Sequence, residues 1–330
     1  MPLLTNHKLK LVYLLAASHS GSTLLAMLLN AHPEVCTVGE LKATSLGDPA
    51  RYRCSCRKLI KECPFWKGIQ EDMAKQGFNF DVTDAGTDLK SGASEYEKKL
   101  LRPLLRGRFF ENMRDVALSL SPYWKKRLSI ILARNKALIE CIADRTGKRI
   151  IVDSSKIGLR LKYLLQIPEL DVNVIRTVRD GRGVSLTYMN PALFADAKNY
   201  SLRQGGMGGN RDDESRTMIQ AAREWRRSNE EGQQVLKLIT PSQHTQISYE
   251  MLCHNPEETM EKLYRFIGVD PNKVDNNYRR VEHHVIGNGM RLDATSEISL
   301  DERWGTTLSE HNLRIFDAVA GKLNRSLGYQ

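Results

Sequence analysis

Apolar residues run unbroken from position 11 to 17, stop at the small polar stretch Ser18, His19, Ser20, Gly21, Ser22 and Thr23, then recur at helical spacing through 24–29. A short continuous run suits a strand covered on both faces, and the recurrence suits a helix, so the turn between them joins strand to helix. The first turn of such a helix has N–H groups without intrahelical partners and lies at the positive end of the helix dipole. Gly21 lets a ligand approach the backbone, and Ser20, Ser22 and Thr23 offer hydroxyl donors; the turn therefore predicts a site for phosphate or sulfate. An ordinary strand-to-helix turn with Ser or Thr as N-cap fits the same residues.

Strand patterns return in "KRIIVDSS" and "DVNVIRTVRD", on either side of the helical "KIGLRLKYLLQI", and again in "HTQISYE" after the helical "TMIQAAREWRRSNEEGQQVLKLI". This alternation predicts an α/β fold, a P-loop-like parallel sheet flanked by helices on both faces. Residues 45–145 carry polar turns and basic helical patterns without a strand signal, which predicts a helical insertion. The polar, glycine-rich 191–215 predicts a mobile lid rather than a linker, because β–α units continue on both sides. Residues 1–330 read as a single domain, with no internal repeat.

Composition narrows the function. With 41% hydrophobic and 27% charged residues among 330, the chain can bury a large core, which excludes a disordered protein. No apolar run is long enough to span a membrane, and the short one near the start leads directly into the polar turn; the expectation is a cytoplasmic protein with no signal peptide and no membrane partner. A formal charge of +10 points to a polyanionic partner. Basic residues are spread along the chain and aromatics are only 7%, which disfavours nucleic acid. Cysteines stand at 36, 54, 56, 63, 141 and 253, three of them in "CSCRKLIKECPFW". That spacing lacks the second paired half of a usual zinc site and has no His close in sequence, so it predicts a loop folded around packed cysteines with Pro64, Phe65 and Trp66; zinc or a redox pair is the lesser alternative. No metal is expected.

The turn fails the NTPase pattern. Ala16 stands at the first Gly, Ser22 at the Lys, and no strand ends in an obvious magnesium-binding Asp, which disfavours a kinase or ATPase. "SHSGSTLLAMLLNAHPEVCTVGE" instead resembles the 5′-phosphosulfate loop of sulfotransferases that use 3′-phosphoadenosine 5′-phosphosulfate (PAPS), especially the tyrosylprotein branch and bacterial-type soluble members. "VRDGRGVSLTYMN" resembles their 3′-phosphate motif, "ISYEMLCHNPEETMEKLYRFIGV" the stretch that brings a Tyr to the adenine, and "HHVIGNGMRLDATSEISLDERW" a late loop that supplies a further Arg.

The resemblance implies a PAPS-dependent sulfotransferase whose product nucleotide is adenosine 3′,5′-bisphosphate (PAP). It implies cofactor contacts from His19, Ser20, Gly21, Ser22, Thr23, Leu24, Arg179, Thr187, Tyr249 and Arg291. It implies catalysis by Lys156, which follows "IIVDSS" as the family's transition-state lysine does, and by Glu40, which follows His19 by the spacing between loop Arg and catalytic Glu in the tyrosylprotein branch. Lys42 stands where that branch has a basic residue, and Arg182 is a lesser candidate contact. His19 departs from the family, where Arg or Lys precedes Ser-Gly, and leaves the loop's catalytic share open. Other branches use a His as base, which makes His283 and His284 rivals of Glu40 with a structural role as their default. The acceptor, a hydroxyl (or amine), stays open among tyrosine peptide, glycan, lipid and small metabolite, with a small molecule or carbohydrate favoured because no signal or anchor is read, and the insertion at 45–145 is expected to shape its pocket. A non-catalytic polyanion or nucleotide binder is the alternative.

Overall fold

A computed structural model of the chain describes residues 8–42, 46, 49–102, 108–194, 202, 215–275 and 277–330. Among these, five parallel strands pair in the order β2-β3-β1-β4-β5: β1 (Leu9–Ala16), β2 (Val35–Thr37), β3 (Ile150–Lys156), β4 (Leu170–Val178) and β5 (His244–Ser248). The period-2 geometry of a strand sends Leu11, Tyr13 and Leu15 of β1 into one core and Val12 and Leu14 into the other, so both faces are buried.

Helix α1 (Ser22–Asn30) returns from β1 towards β2, which lies two places away at the sheet edge. Between β2 and β3 come α2 (Pro64–Lys75), α3 (Glu95–Leu100), α4 (Arg108–Ser119) and the long α5 (Pro122–Thr146). After β3 follow α6 (Gly158–Leu164), then β4, α7 (Gly181–Met189), the single turn α8 (Pro191–Phe194), α9 (Met218–Leu236), β5, α10 (Tyr249–His254) and α11 (Pro256–Ile267). Apolar residues of α1 and α11 cover one face of the sheet, while those of α2, α5 and α6 cover the other. A third core joins α7 and α9 to the C-terminal helical segments through Trp225 and Phe316. No helix among the described residues is long and apolar enough to cross a membrane.

Two features differ from the sequence reading, and a third expectation is untouched by the structure. Strand β2 had no signal, because three residues are too short for a period and are fixed by pairing with Ile150, Ile151 and Val152 more than a hundred residues away. Pro64 opens helix α2 at its first position, where a proline loses nothing by lacking an N–H, rather than belonging to a loop. The lid expected at 191–215 lies outside the described residues except for 191–194, 202 and 215.

Candidate active site at the strand ends

In an open parallel sheet, ligands sit beyond the carboxyl ends of the strands, where strand order reverses. Here β1 has β3 and β2 on one side and β4 and β5 on the other, which puts that reversal at β1. The residues that follow the strands converge: His19 and Gly21 after β1, Glu40 after β2, Lys156 at the end of β3, Arg179 after β4 and Tyr249 after β5 all line one cavity of about 790 Å³.

The loop after β1 is held in an unusual backbone shape. Gly21 has φ 80°, and a Cβ there would lie 2.5 Å from the Tyr249 ring, so the loop needs glycine for both conformation and space. His19 has φ 64°, a left-handed conformation that costs a non-glycine residue and that clusters at ligand sites. Its carbonyl accepts a hydrogen bond from Arg179 at 2.8 Å, and its ring meets Tyr188 edge-on at 4.8 Å. Helix α1 starts at this loop with no side-chain cap and no acidic residue in its first turn. Ser22, Thr23 and Leu24 of that turn line the cavity, which leaves their end of the helix available to an anion.

Across the cavity, Lys156 donates a hydrogen bond to Glu40, and the Lys42 ammonium lies 3.7 Å from the other Glu40 oxygen. Two backbone irregularities aim these groups. The β1–β3 register slips between Tyr13 and Leu15, and Lys156 takes φ 71° at that bulge, which turns its side chain into the site. Gly39 has φ 86° and packs so closely on Ile286 that a Cβ would sit 1.9 Å from its carbonyl oxygen; the same carbonyl accepts the Glu40 N–H at 3.2 Å.

A buried ion pair supports both residues from behind. Asp153 pairs with Arg160 through two contacts of 3.1 Å, and its second oxygen accepts from the N–H groups of Leu41 and Ser155, the neighbours of Glu40 and Lys156. Arg160 donates onward to Thr87 and Asn135, which ties the helical insertion to the site without reaching the cavity.

On the β4 side, the Arg179 guanidinium lies 4.4 Å from the Tyr249 ring centroid and pairs with Asp301 at 3.0 Å. Asp301 also pairs with Arg303. Burial pushes the Asp301 carboxyl up, but the hydrogen bonds and charges of Arg303 and Arg179 outweigh it and hold it at about 2. This carboxylate thus occupies two guanidinium groups at the rim of the cavity.

A family model described as the sulfotransferase family matches residues 12–273. The chain belongs to the sulfotransferase family. Among solved structures it is similar to the sulfotransferase domain from the curacin biosynthetic pathway, at 17% identity and TM-score 0.49 over 98% of this chain and 99% of that one. A sulfotransferase from Mycobacterium avium gives 11% and 0.49 over 98% and 78%, and a retinol dehydratase in a complex with retinol and PAP gives 11% and 0.37 over 98% and 82%. No curated protein matches the chain.

The cavity gathers most of the residues singled out in the sequence, but not all. Arg291 is turned away: its guanidinium donates to the carbonyls of Gly287 at 2.6 Å and Arg53 at 2.7 Å, stacks on Tyr52 and is absent from the lining. Arg279 and Arg303, which sequence reasoning passed over, line the cavity instead. Ser20 is buried and absent from the lining, and its hydroxyl has no partner among the described residues. Thr187 lines the cavity with its hydroxyl donated to the Gly183 carbonyl of its own helix. Arg182 pairs with Asp180 and stacks on Trp304. His283 bonds Asn30 and the Tyr278 carbonyl, and neither it nor His284 reaches the lining. No described residue of 45–145 lines the cavity.

Proposed function

We propose that this sulfotransferase moves the sulfuryl group of PAPS to the hydroxyl of a small-molecule or carbohydrate acceptor by in-line displacement, with the transfer itself needing no metal. The carrying observation is the convergence in one cavity of an open helix N-terminus, the Lys156–Glu40 pair and Arg179. The donor set fits that nucleotide. Backbone N–H groups of α1 suit a phosphosulfate, Arg179 with Arg303 suits a 3′-phosphate in exchange for Asp301, and Tyr249 offers a ring beside them. The bound donor supplies the sulfuryl group and leaves as PAP.

The work of the chain is positioning and charge placement, as in phosphoryl transfer. His19, Gly21, Ser22, Thr23 and Leu24 orient the phosphosulfate at the start of α1. Lys156 exchanges Glu40 for an oxygen of the phosphosulfate and there neutralises the charge that grows on the leaving phosphate oxygen. Glu40, released from that contact, takes the proton of the acceptor hydroxyl as the new oxygen–sulfur bond forms and the bridging sulfur–oxygen bond breaks. Lys42 keeps a positive charge beside Glu40 while Lys156 is engaged.

Mass-spectrometric screening of metabolite and oligosaccharide pools for an added sulfo group, with PAPS as donor and Lys156→Ala as control, tests the reading. Wild-type protein is expected to modify a hydroxylated acceptor and the variant to do so far more slowly. Nucleotide binding without transfer to any pool would favour the non-catalytic alternative.

A further inference from the structure

The three cysteines of "CSCRKLIKECPFW" take no part in the cavity, and the fold brings to them a residue that lies 221 positions beyond Cys63: His284. The Sγ atoms of Cys54, Cys56 and Cys63 and one ring nitrogen of His284 all lie within 4.8 Å of one another. Cys56 and Cys63 are 3.6 Å apart and Cys63 and Cys54 3.8 Å, while His284 Nδ1 is 3.4 Å from Cys63 and 3.8 Å from Cys54. A tetrahedral zinc with bonds of about 2.3 Å to sulfur and about 2.0–2.1 Å to nitrogen separates its ligands by about 3.8 Å (S to S) and about 3.5 Å (S to N). Four of the six edges match that tetrahedron, and the remaining two, from Cys56 to Cys54 and to His284, are no longer than 4.8 Å.

We infer that Cys54, Cys56, Cys63 and His284 form a structural zinc site that clamps the 52–63 loop to the 283–287 segment. Other features point the same way. His284 Nε2 meets Glu282 at 3.0 Å while Nδ1 faces the sulfurs, the outer-shell arrangement typical of zinc-bound histidines, in which the carboxylate takes the proton of the nitrogen that does not bind metal. Phe65 stacks on the same ring at 4.4 Å and 6° and fixes its plane. The backbone N–H groups of Cys56, Lys58 and Trp66 point at the sulfurs of Cys54, Cys56 and Cys63. Arg57 takes φ 68° to close the turn that begins at Cys54, through its N–H to the Cys54 carbonyl at 2.8 Å. Binding exchanges three thiol protons for one zinc ion and leaves the centre with one negative charge, in a loop that carries Arg53, Arg57, Lys58 and Lys61.

The clamp bears on the sulfotransferase cavity. Ser55 bonds the backbone of His283 and Val285 at 2.7 Å each, and Tyr52 accepts from the Gly287 N–H at 3.0 Å. Between these contacts lies Ile286, whose carbonyl holds the Glu40 N–H. The zinc site thus fixes the wall against which Glu40 is placed and has no contact with the reacting groups.

Elemental analysis of the untagged full-length chain, purified under reducing conditions after expression with zinc in the medium, is expected to give one zinc per chain. Cobalt(II) replacing it is expected to show the ligand-field and thiolate charge-transfer bands of a tetrahedral sulfur-rich site. His284→Cys should keep the metal, because thiolate replaces imidazole, while His284→Gln and Cys56→Ser should each lose most of it. A folded wild-type chain that binds neither zinc nor cobalt, or one whose cysteines are joined in a disulfide as purified, would overturn the assignment whatever the variants do. Metal that persists unchanged in both His284→Gln and Cys56→Ser would overturn it too.

Discussion

Replacing Glu40 with Gln keeps the shape of the side chain and an oxygen for Lys156, but removes the charge and the ability to hold a proton. Glu40 is 6% exposed, with Lys156 against one oxygen and Lys42 at 3.7 Å from the other. Loss of a general base costs typically 10²–10⁴ in rate, about 3 to 5 kcal/mol in the barrier. Without nucleotide, the variant has two ammonium groups facing a neutral amide, and leaving charges partly unpaired in this way costs on the order of 1–3 kcal/mol of stability. A bound anion replaces the missing carboxylate, so PAP should bind the variant as tightly as wild type or more tightly, and should raise its melting temperature by more. Single-turnover sulfation measures the rate, and calorimetry with PAP measures the affinity. Turnover near the wild-type level, or turnover and PAP affinity lost in parallel by a folded variant, would refute a base role for Glu40.

Arg179→Ala should weaken PAP by roughly 1.5–3 kcal/mol, the range of a charged hydrogen bond, while leaving adenosine 5′-phosphosulfate nearly unaffected; equal losses for both in calorimetry would remove the 3′-phosphate from this residue. Asp153→Asn should lower turnover with little change in nucleotide affinity, since Asp153 positions Glu40 and Lys156 through the neighbouring Leu41 and Ser155 N–H groups; an effect on stability alone would make it a fold residue only. His19→Arg should retain more activity than His19→Ala, because Arg restores a loop cation, and equal losses would show that the imidazole itself is required. Glu231, raised by burial to about 6, is stabilising only when protonated: its contribution is complete below the ordinary carboxyl value near 4.5 and is lost as pH rises through 6. Glu231→Gln should therefore gain up to about 2 kcal/mol in urea unfolding at pH 7.5 and almost nothing at pH 4.5, whereas a gain independent of pH would contradict the titration.

The central strands were legible because β1 reads as a continuous apolar run from Leu11, β3 opens on Ile150, Ile151 and Val152, and β4 sets Leu170, Val172, Val174 and Ile175 among polar residues. The turn between β1 and α1 was legible for a similarly local reason, as small polar residues and one glycine stand between a strand and a helix. What depended on distant partners was not. Strand β2 exists through its pairing with β3, the Asp153–Arg160 pair needs Thr87 and Asn135 of the insertion, and His284 reaches the cysteines only through folding. Arg291 and Arg279 stand twelve positions apart in the same basic region, and nothing in their neighbours shows which one turns towards the cavity; Tyr52 and the Gly287 carbonyl capture Arg291. The Lys156–Glu40 contact was beyond sequence reasoning as well, because it depends on a bulge and a left-handed residue at the end of β3.

The claim that this cavity holds a 3′-phosphorylated adenosine donor is tested most directly by titrating the wild-type chain with PAP and with adenosine 5′-monophosphate in magnesium-free buffer. The account predicts that PAP binds about 10- to 100-fold more tightly, the effect of one charged contact of roughly 1.5–3 kcal/mol to the 3′-phosphate. Equal affinity for the two nucleotides, or binding that appears only with magnesium and favours ATP, would contradict it.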